Sequence, residues 1–96
     1  MNKITKRIYE YINKHEYVKR EVLNCLQAEI QVADDFNIVD KDEFLDGFAL
    51  SLEQLIRDAF EDISGEWGEM SEEIFKEFVI PVIEWKNLAG IIYAKV

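Results

Sequence analysis

The sequence predicts a mainly α fold: a single-domain bundle of about four helices, with a kinked fourth helix and room for a short C-terminal strand. Three observations carry this. Apolar residues recur at three-to-four-residue spacing along most of the chain. Four Gly and one Pro leave few breakers inside those stripes. With 96 residues, 49% of them hydrophobic, there is material for one core and not for two, so residues 1–96 read as one acidic helical domain.

The elements follow in order. Ile4, Ile8, Tyr11 and His15 mark one face of an amphipathic helix over about residues 2 to 14, with Ile12 beside them. Val18, Val22, Leu26 and Ile30, flanked by Leu23, Cys25 and Ala33, continue as a second stripe to about Asp34. No Gly or Pro separates the two, so residues 13–16 are either a turn or part of one long helix. Phe36 to Val39 form a short connector of β-branched character.

Asp40, with Glu43 three residues on, has capping-box spacing and predicts the start of a strong central helix. Its apolar positions run from Phe44 and Leu45 through Phe48, Leu52 and Ile56 to Ile63, where Ser64-Gly65 supplies a stop. Ser71 caps a fourth helix carrying Ile74, Phe75, Phe78 and Val79, and Pro81 predicts a kink near Ile80. Val82, Ile83 and Trp85 continue helically to Leu88 with Gly90 as the end, leaving Ile91 to Val96 as a β-branched tail that suits a strand given a partner edge.

Charge is distributed unevenly. Residues 1–20 hold six bases against two acids, net plus 4, whereas residues 21–96 hold five bases against eighteen acids, net minus 13. The overall charge of −9 argues against direct binding to nucleic-acid phosphates. No apolar run approaches the ~20 residues of a membrane span. Met1 to Arg7 lead into Tyr9, Glu10 and Tyr11 without a signal core, and the single Cys forms no internal disulfide, so a cytoplasmic chain is expected.

Motifs with chemistry are sparse. Asp42, Asp46, Gly47 and Glu53 fall at positions 1, 5, 6 and 12 of a calcium-loop template, but position 3 is Phe44, which has no side-chain oxygen. Glu43/Asp46, Asp58/Glu61 and Glu69/Glu72 have the i,i+3 spacing with which all-helical nucleotide hydrolases hold magnesium, but few bases nearby are left to hold a phosphate. His15 and Cys25 are each single, which is too few for a zinc site. Cys25 reads as a buried structural cysteine and Trp85 as core. The sequence predicts no catalytic residue, metal or cofactor.

The acidic surface is the feature that stands out. Asp42, Asp46, Glu53 and Glu61 recur at intervals of 4, 7 and 8 on the central helix, with Asp58 and Asp62 alongside. Four helical residues rise about 6 Å, close to twice the ~3.4 Å phosphate spacing of one DNA strand, so such carboxylates can occupy a groove built for phosphates. Glu66 and Glu69 extend the acidity, and Trp67 between two glycines supplies an apolar anchor.

This profile of a short, acidic, single-domain chain resembles the DNA-mimic and nuclease-inhibiting proteins of phages and mobile elements. That class has no shared motif, so the resemblance is one of composition and carries no site residues. It implies a non-enzymatic inhibitor of antirestriction, anti-CRISPR or immunity type, seated in the basic cleft of a nuclease or DNA-binding protein. An oligomeric helical adaptor and an all-α magnesium-dependent nucleotide hydrolase stay open as alternatives. The positive end and negative body also permit head-to-tail or two-fold self-association, including a homodimer.

Overall fold

The computed structural model describes residues 1–63 and 70–95, with backbone alone at 62 and 63. It is a helical bundle, and among the described residues there is no strand. Helix α1 (Lys3–Lys14) begins at Asn2, whose side chain accepts from the Thr5 N–H at 2.8 Å. Ile8, Tyr11 and Ile12 are buried on one face. His15 is extended (φ −103°, ψ 105°) and ends α1 while opening α2 (Glu16–Asp35). There are therefore two helices, not one, although no breaker residue marks the joint. The bend brings Ile8 and Ile12 onto the same core as Val18, Val22 and Leu26, which a straight helix would hold end to end.

A left-handed turn closes α2. Asn37 has φ 53°, the Ile38 N–H donates to the Ala33 carbonyl at 2.8 Å, and the Asn37 N–H donates to the Asp34 carbonyl at 3.3 Å. This is a Schellman arrangement, and Asn is the commonest residue after Gly to accept that backbone. Asp40 then caps α3 (Lys41–Asp58), its carboxylate accepting from the Asp42 N–H at 2.9 Å. Leu45, Phe48, Leu52 and Ile56 are buried along α3, which packs against α2 and α6.

The central helix does not run unbroken to Ile63. It turns at Ala59, and a short α4 (Phe60–Ile63) follows, setting the Phe60 ring 5.2 Å from that of Phe75. The Ser64-Gly65 stop lies outside the described residues. Ser71 caps α5 (Glu72–Ile74), its hydroxyl accepting from the Ile74 N–H at 3.2 Å. The chain then widens into a π turn (Phe75–Val79) and tightens into a 3₁₀ turn (Ile80–Val82). The predicted kink is thus present, and its cause is Pro81, which removes a donor and crowds the preceding turn.

The C-terminal expectation is corrected. Residues 91–94 belong to α6 (Trp85–Ala94), a helix that passes through Gly90, not to a strand. Leu88, Ala89 and Ile92 are buried against α3, and that packing outweighs both the Gly and the β-branched preference of the tail. A Cβ built at Gly90 would meet Leu45 Cδ1 at 3.8 Å, an ordinary contact. Gly90→Ala should therefore stabilise the fold by about 1 kcal/mol, read as a thermal midpoint raised by about 4–8 °C. A lowered midpoint would show that the α3–α6 seam is tighter than described.

Candidate acidic interface

The turn and cap that join α2 to α3 also expose what they carry. Asp34, Asp35, Asp40, Asp42, Glu43 and Asp46 are all exposed within thirteen residues of chain that hold a single base, Lys41. Among them Phe36 is 75% and Val39 96% exposed. The corner thus carries six carboxylates and two solvated apolar side chains within a short length of chain. From the sequence, Asp40 and Glu43 read as a helix cap and Phe36 to Val39 as a connector, and none of them, nor Asp34 or Asp35, reads as part of an interface. Asn37, suited to a left-handed turn, was the available signal that Phe36 to Val39 project as a corner instead of lying flat as a connector.

The corner continues onto α3. Asp42, Asp46 and Glu53 fall within about 40° of arc at 3.6 residues per turn. Lys86 of α6 sits over their near end, its Nζ 3.2 Å from Asp46 and 3.6 Å from Asp42. The hydrogen bond to Asp46 is the main reason its ammonium pKa is raised, with the charges of both aspartates adding to it. Asp46, Glu53 and Lys86 share a groove of about 340 Å³ with Trp85 and the exposed Leu50. Trp85 packs partly against the core and donates its indole N–H to the Ile80 carbonyl at 3.1 Å.

The single strip expected along the central helix is divided. Sixteen residues separate Asp58 from Asp42, which leaves Asp58 about 160° round the helix from it. The turn at Ala59 then removes Glu61 from the phase of α3 altogether. Asp58 accepts from Gln54 Nε2 at 3.0 Å on the α2 side, where it shares a groove with Tyr17 and Glu21. Asp58 and Glu61 meet instead in a second cavity of about 270 Å³, with Arg57, Glu72 and Lys76. Lys76 pairs there with Glu72 at 3.0 Å. Glu66, Trp67 and Glu69 lie outside the described residues, as does the side chain of Asp62.

The other motifs resolve as follows. The calcium-loop window Asp42 to Glu53 is continuous α-helix, so it is not a loop at all. Among the described residues, no three His, Cys, Asp or Glu side chains are grouped to hold a metal ion. Glu43 and Asp46 share one turn of α3, whereas Asp58 and Glu61 straddle its break. Cys25 is half-buried on the α2–α3 seam, where burial first and the Glu29 charge second push its thiol pKa up. Ser51 donates its hydroxyl to Glu29 at 2.5 Å there. His15 stands ten residues away along α2, about 15 Å of helix rise, which is too far to activate that thiol. No described helix is long and apolar enough to cross a membrane. Comparison with protein-family models, curated proteins and solved structures finds no match.

Proposed function

We propose that this chain is a non-enzymatic acidic binding protein of the cytoplasm that occupies the basic nucleic-acid cleft of a partner, a nuclease or DNA-binding protein, and inhibits it. The observation that carries the reading is the α2–α3 corner, where exposed carboxylates from Asp34 to Asp46 share thirteen residues of chain with the exposed Phe36 and Val39. Carboxylates alone would serve solubility. Exposed apolar side chains set among them suit a protein partner that offers both cations and a pocket. The Asp42–Asp46 rise of about 6 Å matches about two phosphate steps, and the long-range field of such a face speeds encounter with a basic cleft. Glu53 extends this face, while Asp58 and Glu61 line a separate cavity with Glu72. No cofactor and no direct contact with nucleic acid are involved.

The test is capture by the immobilised chain from a lysate of the producing organism, followed by DNA-binding assays on the captured protein. A nucleic-acid-binding protein should be retained, released by rising salt, and displaced from its DNA by the chain. Neutralising D35N/D40N/D42N/D46N, in which Asn keeps the α3 cap, should slow association by about 10- to 100-fold. Lys86→Gln removes the cation that screens Asp42 and Asp46 and should tighten binding a few-fold. Capture indifferent to salt and to the fourfold variant would overturn the reading. Magnesium-dependent hydrolysis of a nucleoside triphosphate would move attention to the Asp58, Glu61 and Glu72 cavity.

A further inference from the structure

Helix α2 carries a stripe that the core leaves open and that shares only Asp34 with the acidic corner. Lys19, Leu23, Gln27, Ile30 and Asp34 recur at intervals of 4, 4, 3 and 4, which keeps them within about 80° of arc over about 22 Å of rise. Lys19, Gln27 and Asp34 are exposed, Leu23 is half-buried and Ile30 is 36% exposed. The stripe is symmetric about a point between residues 26 and 27. Lys19 and Asp34 stand equally far from it on opposite sides, as do Leu23 and Ile30.

Two open grooves flank the stripe. Leu23 and Lys19 border one of about 410 Å³, closed on its far side by Ile92 of α6 and Lys95 just beyond it. Ile30 and Asp34 border another of about 240 Å³, whose far side includes Phe44 and Tyr93. The first groove is apolar with a basic rim, whereas the second is mixed, with Asp34 and Asp40 set beside Lys41. The helix itself places its charges poorly: Asp34 and Asp35 occupy the last turn of α2, where no base stands, against the sense of the helix dipole.

We propose that the α2 stripe is the self-complementary face of a homodimer, with α2 of one copy lying antiparallel to α2 of another about a two-fold axis beside residues 26 and 27. Lys19 then meets Asp34 of the second copy, Leu23 meets its Ile30, and each bridge and each apolar contact occurs twice. The antiparallel pairing sets the acidic end of each helix beside Lys19 and the positive dipole end of the other, which offsets the adverse charge–dipole placement. This inference stands apart from the partner proposed above: Asp34 is the one corner carboxylate it engages, and the α3 acids take no part in it.

Sedimentation velocity on the full chain tests it. Wild type should sediment at twice the 11.3 kDa of one chain. Lys19→Glu and Asp34→Lys should each sediment as a monomer, with dimerisation weakened by about tenfold or more, because each places like charges opposite each other twice. Mixed in equal amounts, the two variants regain both bridges and should form a heterodimer that grows no further, which also shows that each is folded. A monomeric wild type, variants that dimerise unchanged, a mixture that stays monomeric, or one that assembles beyond two copies would each overturn the antiparallel pairing.

Discussion

Phe48→Ala should lower the unfolding free energy by about 4 kcal/mol, within the range for removing a buried aromatic ring. Phe48 is 0% exposed, sits mid-way along α3, and has its ring 6.4 Å from that of Phe44, which in turn lies 5.1 Å from Tyr93 of α6. Truncation opens a void where α2, α3 and α6 converge, and a close-packed interior fills such a void only in part. Against a total stability of roughly 5–15 kcal/mol, that loss leaves a marginal fold. The thermal midpoint should drop by about 15–30 °C at about 4–8 °C per kcal/mol for a chain of this size. Urea unfolding should show a lower midpoint at an unchanged slope. Phe78→Ala is the control: Phe78 is 63% exposed, and its loss should stay within about 0.5 kcal/mol. Equal effects at the two positions would mean that the core is not centred on α3.

The same packing explains which parts of the fold can be read from the chain. Phe48, Leu52 and Ile56 repeat at helical spacing and are buried in that register, and Asp40 and Ser71 cap the helices they precede. These signals are local and agree with the tertiary result. His15 and Ala59 break helices without any residue that intrinsically breaks them, because the breaks serve long-range packing of α1 on α2 and of Phe60 on Phe75. Ile91 and Ile92 favour a strand by at most a few tenths of a kcal/mol each, whereas burial of Leu88 and Ile92 contributes about 1.5–3 kcal/mol per side chain. Local preference loses that comparison.

The acidic site was legible in composition and not in phase. Counting carboxylates locates the acidic stretch, but whether Asp58 joins Asp42 depends on sixteen residues of helix rotation, and whether Glu61 joins either depends on a turn at Ala59. Lys86 approaches from α6, forty residues beyond Asp46, so its pairing is invisible to any local reading. The corner from Asp34 to Asp46 escapes that uncertainty. A cap and a Schellman turn, both set by neighbouring residues, hold it together over a short length of chain.

Thr5→Val should cost about 2 kcal/mol, although it replaces a side chain by one of nearly the same shape. Thr5 is 0% exposed, and its Oγ1 accepts the Glu84 N–H at 2.8 Å. Asn2 adds two further links to the same segment: its side-chain amide donates to the Val82 carbonyl at 2.7 Å, and its backbone N–H donates to the Glu84 carboxylate. Residues 2–5 thus hold residues 82–84, the end of the 3₁₀ turn and the joint from which α6 starts, across nearly the whole chain. Valine fills the space but accepts no hydrogen bond, so the part-buried Glu84 N–H loses its partner, and that penalty exceeds the net worth of an ordinary bond. Thr5→Ser separates the two causes, because it keeps the oxygen and loses one methyl, about 0.8 kcal/mol. Hydrogen exchange at the Glu84 amide should speed up markedly in the valine variant and little in the serine variant. Equal loss of protection in both would assign the role of Thr5 to methyl packing. Lys86 stands two residues beyond this joint, so the bond that fixes the start of α6 also fixes where a cation meets Asp42 and Asp46.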